Sequence, residues 1–302
     1  MDRRLAGLLV LVLAITAVVV APAIDGRRVA GAGVAAAFPA PPEVGACVLP
    51  PVPVGPKVGG LLPEIPVTAV HFGSCEGVIA GEVVSLLASD QVTGMDLSFP
   101  GPCADGISAF AGLQVSARSA TVPGAPPDSP AVWTPTLGST GLLIVPSQSE
   151  RNTGRLWAAC LVVPTMHSTY HGTLRHAFTA GRLPDQFGLC WAESDLDHMP
   201  DLLPCAEPHP AELLATGWIE NRSVVTLERV EASCLDIAGR IMRTGDPGRG
   251  GAITIVTDPV RRDGASRPDA PLTVGCFATS SAGAPLTGTV IGLGDSPVPL
   301  AR

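Results

Sequence analysis

The chain has 302 residues, enough for two ordinary domains, and carries a net charge of -8 at neutral pH. This negative charge disfavours broad electrostatic binding of nucleic acid or of anionic lipid. Only 4% of the residues are aromatic, so the core must be built mainly from aliphatic side chains. Cores of this kind are small and benefit from cross-links, which the eight cysteines can provide.

The N-terminus has the pattern of an export signal. Arg3 and Arg4 precede Leu5–Ile24, a stretch of 20 residues without charge that is long enough to span a bilayer. We predict that residues 1–24 form a signal anchor, with one pass through the cell membrane and the C-terminal region outside the cytoplasm. The alternative is a cleaved signal peptide and a secreted protein. Residues 25–43 are rich in Ala, Pro and Gly and are predicted to be a tether.

Two tandem repeats are indicated by two sets of four cysteines whose neighbours match at fixed offsets. Each set has a glycine two residues before the first cysteine and a glutamate seven after the second. An aspartate follows the third cysteine by two residues, and Gly-Thr begins twelve after the fourth. The first set is Cys47, Cys75, Cys103 and Cys160, with Gly45, Glu82, Asp105 and Gly172-Thr173. The second set is Cys190, Cys205, Cys234 and Cys276, with Gly188, Glu212, Asp236 and Gly288-Thr289. These matches predict repeats at 44–180 and 181–302.

In the first repeat, alternating or β-branched segments predict five strands. They are Val67–Phe72, Gly81–Ala88, Gly141–Val145, Leu156–Val163 and Thr169–Phe178. A short helix is predicted at Cys103–Leu113, with Ile107, Phe110 and Leu113 on related faces. The Pro-rich stretches 50–66 and 121–140 are predicted to be exposed loops.

The second repeat contains the best helical periodicity of the chain, at Val224–Arg243. Its apolar residues recur at spacings of three and four: Leu227, Val230, Cys234, Ile237 and Ile241. Predicted strands are Ala211–Ile219, Ala252–Thr257, Thr273–Ala278 and Leu286–Leu293. Residues 258–270 are predicted to be a polar loop.

Together these elements predict an α+β fold in which each repeat is a small, mostly antiparallel sheet with one packed helix. Four cysteines allow three pairings within a repeat. We favour pairing the first with the second and the third with the fourth. The bond between Cys234 and Cys276 would then join the helix to the sheet.

The segment Cys205–Leu213, preceded by Phe187–Cys190, resembles the opening of the septum formation domain of actinobacterial envelope proteins. In that family a Gly-x-Cys segment leads to Cys-x-x-Pro-His-x-x-Glu and then to two later cysteines. The resemblance covers about 187–293. In the first repeat Ile79 replaces the histidine, while Gly154–Cys160 resembles the late Trp/Arg-to-Cys segment of the family. The resemblance implies an exported or membrane-anchored, disulfide-bonded domain associated with septum formation, without established catalytic residues.

Three groups of side chains contain residue types that bind metals. They are Cys205, His209 and Glu212; His167, His171 and His176; and the acidic loop Glu193, Asp195, Asp197 and Asp201. We favour structural or solvated roles for all three. Cysteines of exported proteins usually form disulfides, and the first repeat has no histidine at the position of His209. The acidic loop lacks the glycine and the closing glutamate of a calcium-binding loop. Glu82 and Glu212 could serve as an acid and a base, but they belong to separate repeats, which favours a role in the fold.

These patterns favour a non-enzymatic envelope protein that interacts with envelope or division proteins, without a cofactor. Loops at 50–66, 121–140 and 258–270 would provide recognition surfaces. The alternative is an exported hydrolase or a metal-binding protein that uses His209 or the group of His167, His171 and His176. An envelope redox protein is a third hypothesis, and the lack of close cysteine pairs disfavours it.

Overall fold

A computed structural model describes the following residues: 38–53, 64–87, 103–113, 131–167, 169–181, 183–193, 201–219, 225–259, 272–281 and 283–301. Fourteen strands are described there: β1 (Cys47–Val48), β2 (Glu64–Pro66), β3 (Phe72–Gly73), β4 (Val78–Ile79), β5 (Gly81–Leu87), β6 (Val132–Pro135), β7 (Ser139–Val145), β8 (Ala158–Pro164), β9 (Tyr170–His171), β10 (Cys190–Trp191), β11 (Leu202–Leu203), β12 (Ala211–Ile219), β13 (Ile253–Pro259) and β14 (Leu272–Ser280). The described helices are α1 (Ala104–Ala111), α2 (Gln148–Asn152), α3 (Ala177–Ala180) and α4 (Leu227–Met242). The protein is therefore mixed α+β and rich in sheet, as expected.

Two larger sheets have the same strand order over five strands. The first sheet runs β2-β7-β8-β5-β1-β3, and the second runs β11-β10-β12-β14-β13 with β6 also paired to β12. Reading each sheet from the strand before its second cysteine gives β3-β1-β5-β8-β7 and β11-β10-β12-β14-β13. All pairs in these two series are antiparallel. A separate small sheet pairs β4 with β9.

The register of the two sheets also corresponds at the matched residues. Cys47 lies opposite Glu82, and Cys190 lies opposite Glu212. Each central strand has an irregularity one residue after its glutamate, between Val83 and Ser85 in β5 and between Leu213 and Ala215 in β12.

All four disulfides follow the pairing favoured from the sequence. Cys47 bonds Cys75, Cys103 bonds Cys160, Cys190 bonds Cys205, and Cys234 bonds Cys276. Cys103 immediately precedes α1 and Cys234 lies within α4, so each of these helices is covalently joined to the late strand of its sheet.

Helix α4 shows how the sequence pattern becomes a packed element. The side chains that it buries recur at spacings of three and four: Val230, Cys234, Ile237, Ala238, Ile241 and Met242. Arg243 then adopts a left-handed conformation with φ 58°, which ends the helix before Gly245. The guanidinium of Arg243 donates to the carbonyl oxygens of Phe178 and Thr179, at 3.0 and 2.9 Å.

The two sequence halves share one hydrophobic core. Residues Pro41–Arg302 form one compact unit, and the main core cluster takes side chains from the inner faces of both larger sheets. Strand β6 belongs to the first half but pairs with β12 of the second sheet. Trp133 of β6 donates its indole N–H to Ser233 of α4, and the rings of Tyr170 and Phe187 meet edge to face at 4.9 Å.

The outer faces of the two sheets differ. On the first sheet, the segment from β2 to Val70 buries Ile65, Val67 and Val70 against Trp157 and other apolar side chains of the sheet. The corresponding cluster on the second sheet is smaller and is built from Trp191, Ala211, Leu213 and Phe277. The longer connection between Cys47 and Cys75, with a separation of 28 residues against 15 for Cys190 and Cys205, provides the additional cover.

Most predicted strands are confirmed to within two residues at each end, and Ala211–Ile219 is confirmed at both ends. Three strand predictions were wrong. Val67–Phe72 is mainly a 3₁₀ turn at Val67–Ala69, which buries Val67 and Val70 at a spacing of three. Thr169–Phe178 contains only the two residues of β9 before the chain turns at Gly172, with φ 87°. Leu286–Leu293 forms only isolated bridges, at Leu286. The backbone N–H groups of Val290 and Ile291 donate to the side chains of Glu212 and Thr289 rather than to a neighbouring strand.

Two loop predictions were wrong in part. The Pro-rich stretch 121–140 contains β6, and 50–66 ends in β2. Both strands alternate between exposed and buried side chains, a pattern that the surrounding proline and glycine concealed. The signal anchor predicted at 1–24, most of the tether, and nearly all of loop 258–270 lie outside the described residues. In the part that is described, every helix is too short or too polar to cross a bilayer.

Candidate functional site

The two matched glutamates are almost completely buried. Glu82 is 1% exposed and Glu212 is 0% exposed. Each is the second residue of a central strand, β5 or β12, and each lies opposite the first cysteine of its half. Because a buried carboxylate is costly unless it accepts hydrogen bonds, its partners determine what it can do.

Glu82 accepts three hydrogen bonds from the segment that follows β8. Tyr170 donates its hydroxyl at 2.7 Å, and Thr173 donates its hydroxyl at 2.5 Å. The backbone N–H of Leu174 donates at 2.5 Å. The carboxylate therefore holds the Gly172-Thr173 turn against the sheet, which is a structural role.

Glu212 makes the corresponding contacts in the second half with one donor fewer. Thr289 donates its hydroxyl at 2.5 Å, and the backbone N–H of Val290 donates at 2.7 Å. Asp185, which comes from the turn before β10, accepts the backbone N–H of Thr289 at 3.0 Å. Glycine is needed at 188, because a Cβ there would lie 2.4 Å from the Cys205 sulfur and 2.8 Å from Glu212 Oε1.

The electrostatics of these carboxylate sites follow from burial. Burial raises the pKa of Glu212 to about 7; the hydrogen bonds from Thr289 and Val290 oppose this change, and the nearby charge of Asp185 adds to it. Burial, together with the charge of Glu82, raises the pKa of the Tyr170 hydroxyl well above its usual range. Tyr170 is thus a permanent donor, whereas Glu212 changes its protonation near neutral pH.

His209 lies beside the Cys190–Cys205 disulfide and is 0% exposed. Its Nδ1 lies 2.8 Å from the carbonyl oxygen of Glu207. Its Nε2 is buried and has no hydrogen-bond partner among the described residues. Burial lowers the pKa of His209, although the Glu207 carbonyl and the charge of Asp185 partly offset this effect. The imidazole is therefore neutral at physiological pH.

Of the metal-binding hypotheses, the structure assembles part of one. A ring nitrogen of His209 and the sulfurs of Cys190 and Cys205 lie within 4.8 Å of one another, and within the described ranges this is the one group of three possible ligands. The sequence-derived set included Glu212 in place of Cys190. Glu212 is not part of this group, and its carboxylate accepts hydrogen bonds from Thr289 and Val290 instead. Both sulfurs are in a disulfide and are not thiolate ligands in this state.

The histidines at 167, 171 and 176 do not form a common ligand group. His171 is an exposed residue of β9. His176 is exposed and precedes α3 in a left-handed conformation with φ 55°. His167 lines a cavity of about 510 Å³ walled mostly by apolar residues and has a buried Nε2 without a described partner. In the acidic loop, Asp195 and Asp197 lie outside the described residues, while Glu193 and Asp201 are exposed.

Sequence reasoning missed the side chains that surround the two glutamates, both the hydroxyl donors and Asp185, which accepts from the backbone N–H of Thr289. Thr173 and Thr289 belong to the Gly-Thr pairs that match between the repeats, so the matched offsets of Glu and Gly-Thr were a usable signal. Tyr170 and Asp185 have no counterpart in the other repeat. Repeat matching therefore could not find them.

Comparison with protein-family models, with curated proteins and with solved structures finds no match to this chain.

Proposed function

We propose that this protein is a non-enzymatic, extracytoplasmic envelope protein whose folded part binds another protein during cell division or envelope assembly. Its four disulfides are typical of proteins outside the cytoplasm. The resemblance of Cys205–Leu213 to septum formation domains supports the link to division. We further propose that residues 1–24 anchor the chain in the membrane and that the two sheets derive from one duplicated unit.

The buried carboxylates support a structural rather than a catalytic use of the unusual polar residues. Glu82 and Glu212 each hold a Gly-Thr turn through their carboxylate oxygens. They occupy equivalent positions in two sheets of the same strand order. Because both halves use this glutamate in the same way, the fold that they share is sufficient to explain it.

The observation that carries the binding proposal is an exposed aromatic side chain on the outer face of the second sheet. Trp218 of β12 is 50% exposed, and its partner Val132 on β6 is 37% exposed. Thr273 of β14 lies opposite Trp218 on the other side, and Thr134 lies opposite Thr216 in the next row. These five residues, which we call the Trp218 patch, carry no charge although the whole chain has a net charge of -8.

The composition of the Trp218 patch fits a protein partner with an apolar contact surface. The centres of protein interfaces are depleted in charge and enriched in aromatic residues, and tryptophan is over-represented among residues that dominate binding energy. Highly charged ligands such as nucleic acid would instead require basic residues. The outer face of the first sheet, which is partly covered, has no exposed tryptophan at its described positions.

Fluorescent tagging of the full chain in dividing actinobacterial cells tests this proposal. We expect enrichment at the septum for the wild type and loss of that enrichment for Trp218→Ala, with unchanged protein level and disulfide content. Leu86→Ala is the matched control, because Leu86 is 45% exposed on the central strand of the other sheet. An even envelope distribution of the wild type would refute the septal role, and unchanged localisation of Trp218→Ala would refute the role of the patch.

A further inference from the structure

His209 occupies a position that the other half fills with an aliphatic side chain. His209 lies four residues after Cys205, and Ile79 lies four residues after Cys75. Both side chains are 0% exposed. Burying an imidazole has a desolvation cost that isoleucine does not have. The fold shared by the two halves therefore does not explain the histidine.

The hydrogen bonding of His209 leaves one ring nitrogen free to act as a ligand. A carbonyl oxygen only accepts, so the contact of Nδ1 with the Glu207 carbonyl at 2.8 Å places the proton on Nδ1. The lone pair is then on Nε2, which is fully buried and has no partner among the described residues. A metal-binding histidine typically donates one ring N–H to a carbonyl or carboxylate oxygen and binds the metal through its other ring nitrogen.

We infer that Cys190, Cys205 and His209 form a zinc site when the disulfide between the two cysteines is reduced. A ring nitrogen of His209 and the two sulfurs already lie within 4.8 Å of one another. Two thiolates and a neutral imidazole balance the charge of Zn²⁺, so the occupied site would add no net charge to the interior. The thiolate sulfurs would move to roughly 3.7 Å apart, as tetrahedral Zn–S bonds of about 2.3 Å require.

The interconversion balances when a dithiol is the reductant. Its two thiols reduce the Cys190–Cys205 bond, the dithiol becomes a cyclic disulfide, and two protein thiols form. Binding of Zn²⁺ then releases the two thiol protons to solvent, while His209 binds as the neutral imidazole. The reverse exchange with an oxidised dithiol would restore the protein disulfide, release Zn²⁺ and take up two protons from solvent to form the dithiol. The site is thus either a disulfide or a metal site.

Reoxidation of the reduced full chain in the presence and absence of Zn²⁺ tests the inference. Alkylation and mass spectrometry would follow each cysteine separately. We expect Zn²⁺ to slow the pairing of Cys190 with Cys205 at least about tenfold, with the effect lost in His209→Ile. Isoleucine is the appropriate replacement because the other half packs it at the equivalent position. Cys47 and Cys75, whose surroundings lack the histidine, are the internal control.

The inference would be overturned if Cys190 and Cys205 pair at the same rate with and without Zn²⁺. It would also be overturned if Zn²⁺ slows the pairing of Cys47 with Cys75 equally, or if it slows the pairing of Cys190 with Cys205 equally in His209→Ile. If the reduced chain does not refold, the test starts from the folded, oxidised protein. Stepwise addition of a dithiol with Co²⁺ should then produce thiolate-to-cobalt absorption above that of the dithiol and Co²⁺ without protein, as Cys190 and Cys205 become reduced. Absence of this absorption in the wild type, or its presence in His209→Ile, would overturn the inference as well.

Discussion

The two larger sheets have the same strand order and the same register at their glutamates, yet they differ at three places. The first sheet has a partly covered outer face, three donors on Glu82 and an isoleucine near its first disulfide. The second has an exposed tryptophan, two donors on Glu212 and a histidine beside the equivalent disulfide.

Features that both halves contain belong to the common fold, whereas features of one half require a separate explanation. The disulfides, the glutamates and the Gly-Thr turns are common to both halves, so they are accounted for by the fold. Trp218 and His209 have no counterpart at the matched positions of the first half, so the shared fold does not account for them. We therefore assign the binding proposal and the zinc inference to the second sheet and its surroundings. Four predictions test the division.

The largest effect on stability is expected from removing a disulfide, each of which links two residues of the same half. Replacing both Cys103 and Cys160 by Ala opens a connection with a separation of 57 residues and should lower the free energy of unfolding by about 4 kcal/mol. Replacing Cys190 and Cys205, with a separation of 15, should cost about 3 kcal/mol. Guanidinium unfolding monitored by circular dichroism measures both. The reverse order would show that loop length does not determine their contributions.

Glu82→Ala should lower the free energy of unfolding by about 3 kcal/mol, because it leaves the donors of Tyr170, Thr173 and Leu174 without their acceptor. Glu212→Ala should cost less, since it leaves two donors. The same unfolding measurement compares the two variants. A larger loss for Glu212→Ala would contradict the assignment of equivalent structural roles.

Glu212 should make stability depend on pH. Its pKa is raised from 4.5 to about 7 in the folded protein, so its stabilising contribution is complete below pH 4.5 and is lost as the pH rises through 7. Over this window the wild type should lose of the order of 2 kcal/mol relative to Glu212→Gln. Unfolding curves collected across the window measure the difference. Parallel pH profiles for the two proteins would exclude a raised pKa.

The smallest effect on stability is expected for Trp218→Ala. The side chain is 50% exposed, so its removal should change the free energy of unfolding by less than about 0.5 kcal/mol. Thermal unfolding of the isolated protein measures this change. A loss above about 1.5 kcal/mol would show that the indole packs within the isolated chain, and it would remove the support for a partner at the Trp218 patch.

Local patterns predicted those elements whose burial follows a simple period. Helix α4 and strand β12 were predicted nearly to their ends because one face of each is continuously buried. The segments after Gly172 and after Leu286 were misassigned as strands. Their apolar residues are buried, but their backbone donors bind Glu82 and Glu212 rather than a neighbouring strand. Hydrogen bonds to distant side chains leave no periodic trace in sequence.

The sequence by itself indicated two similar sets of cysteines, favoured the pairing that the structure shows, and marked Glu82 and Glu212 by their matched offsets. Spacing carries this information because disulfides and buried carboxylates restrict which residue types a position accepts. Only the tertiary structure showed that the two halves share one core, that β6 joins the second sheet, and that Asp185 lies near Glu212. It also placed His209 against both sulfurs of its disulfide. These contacts join residues far apart in the chain, and their geometry depends on how the sheets pack.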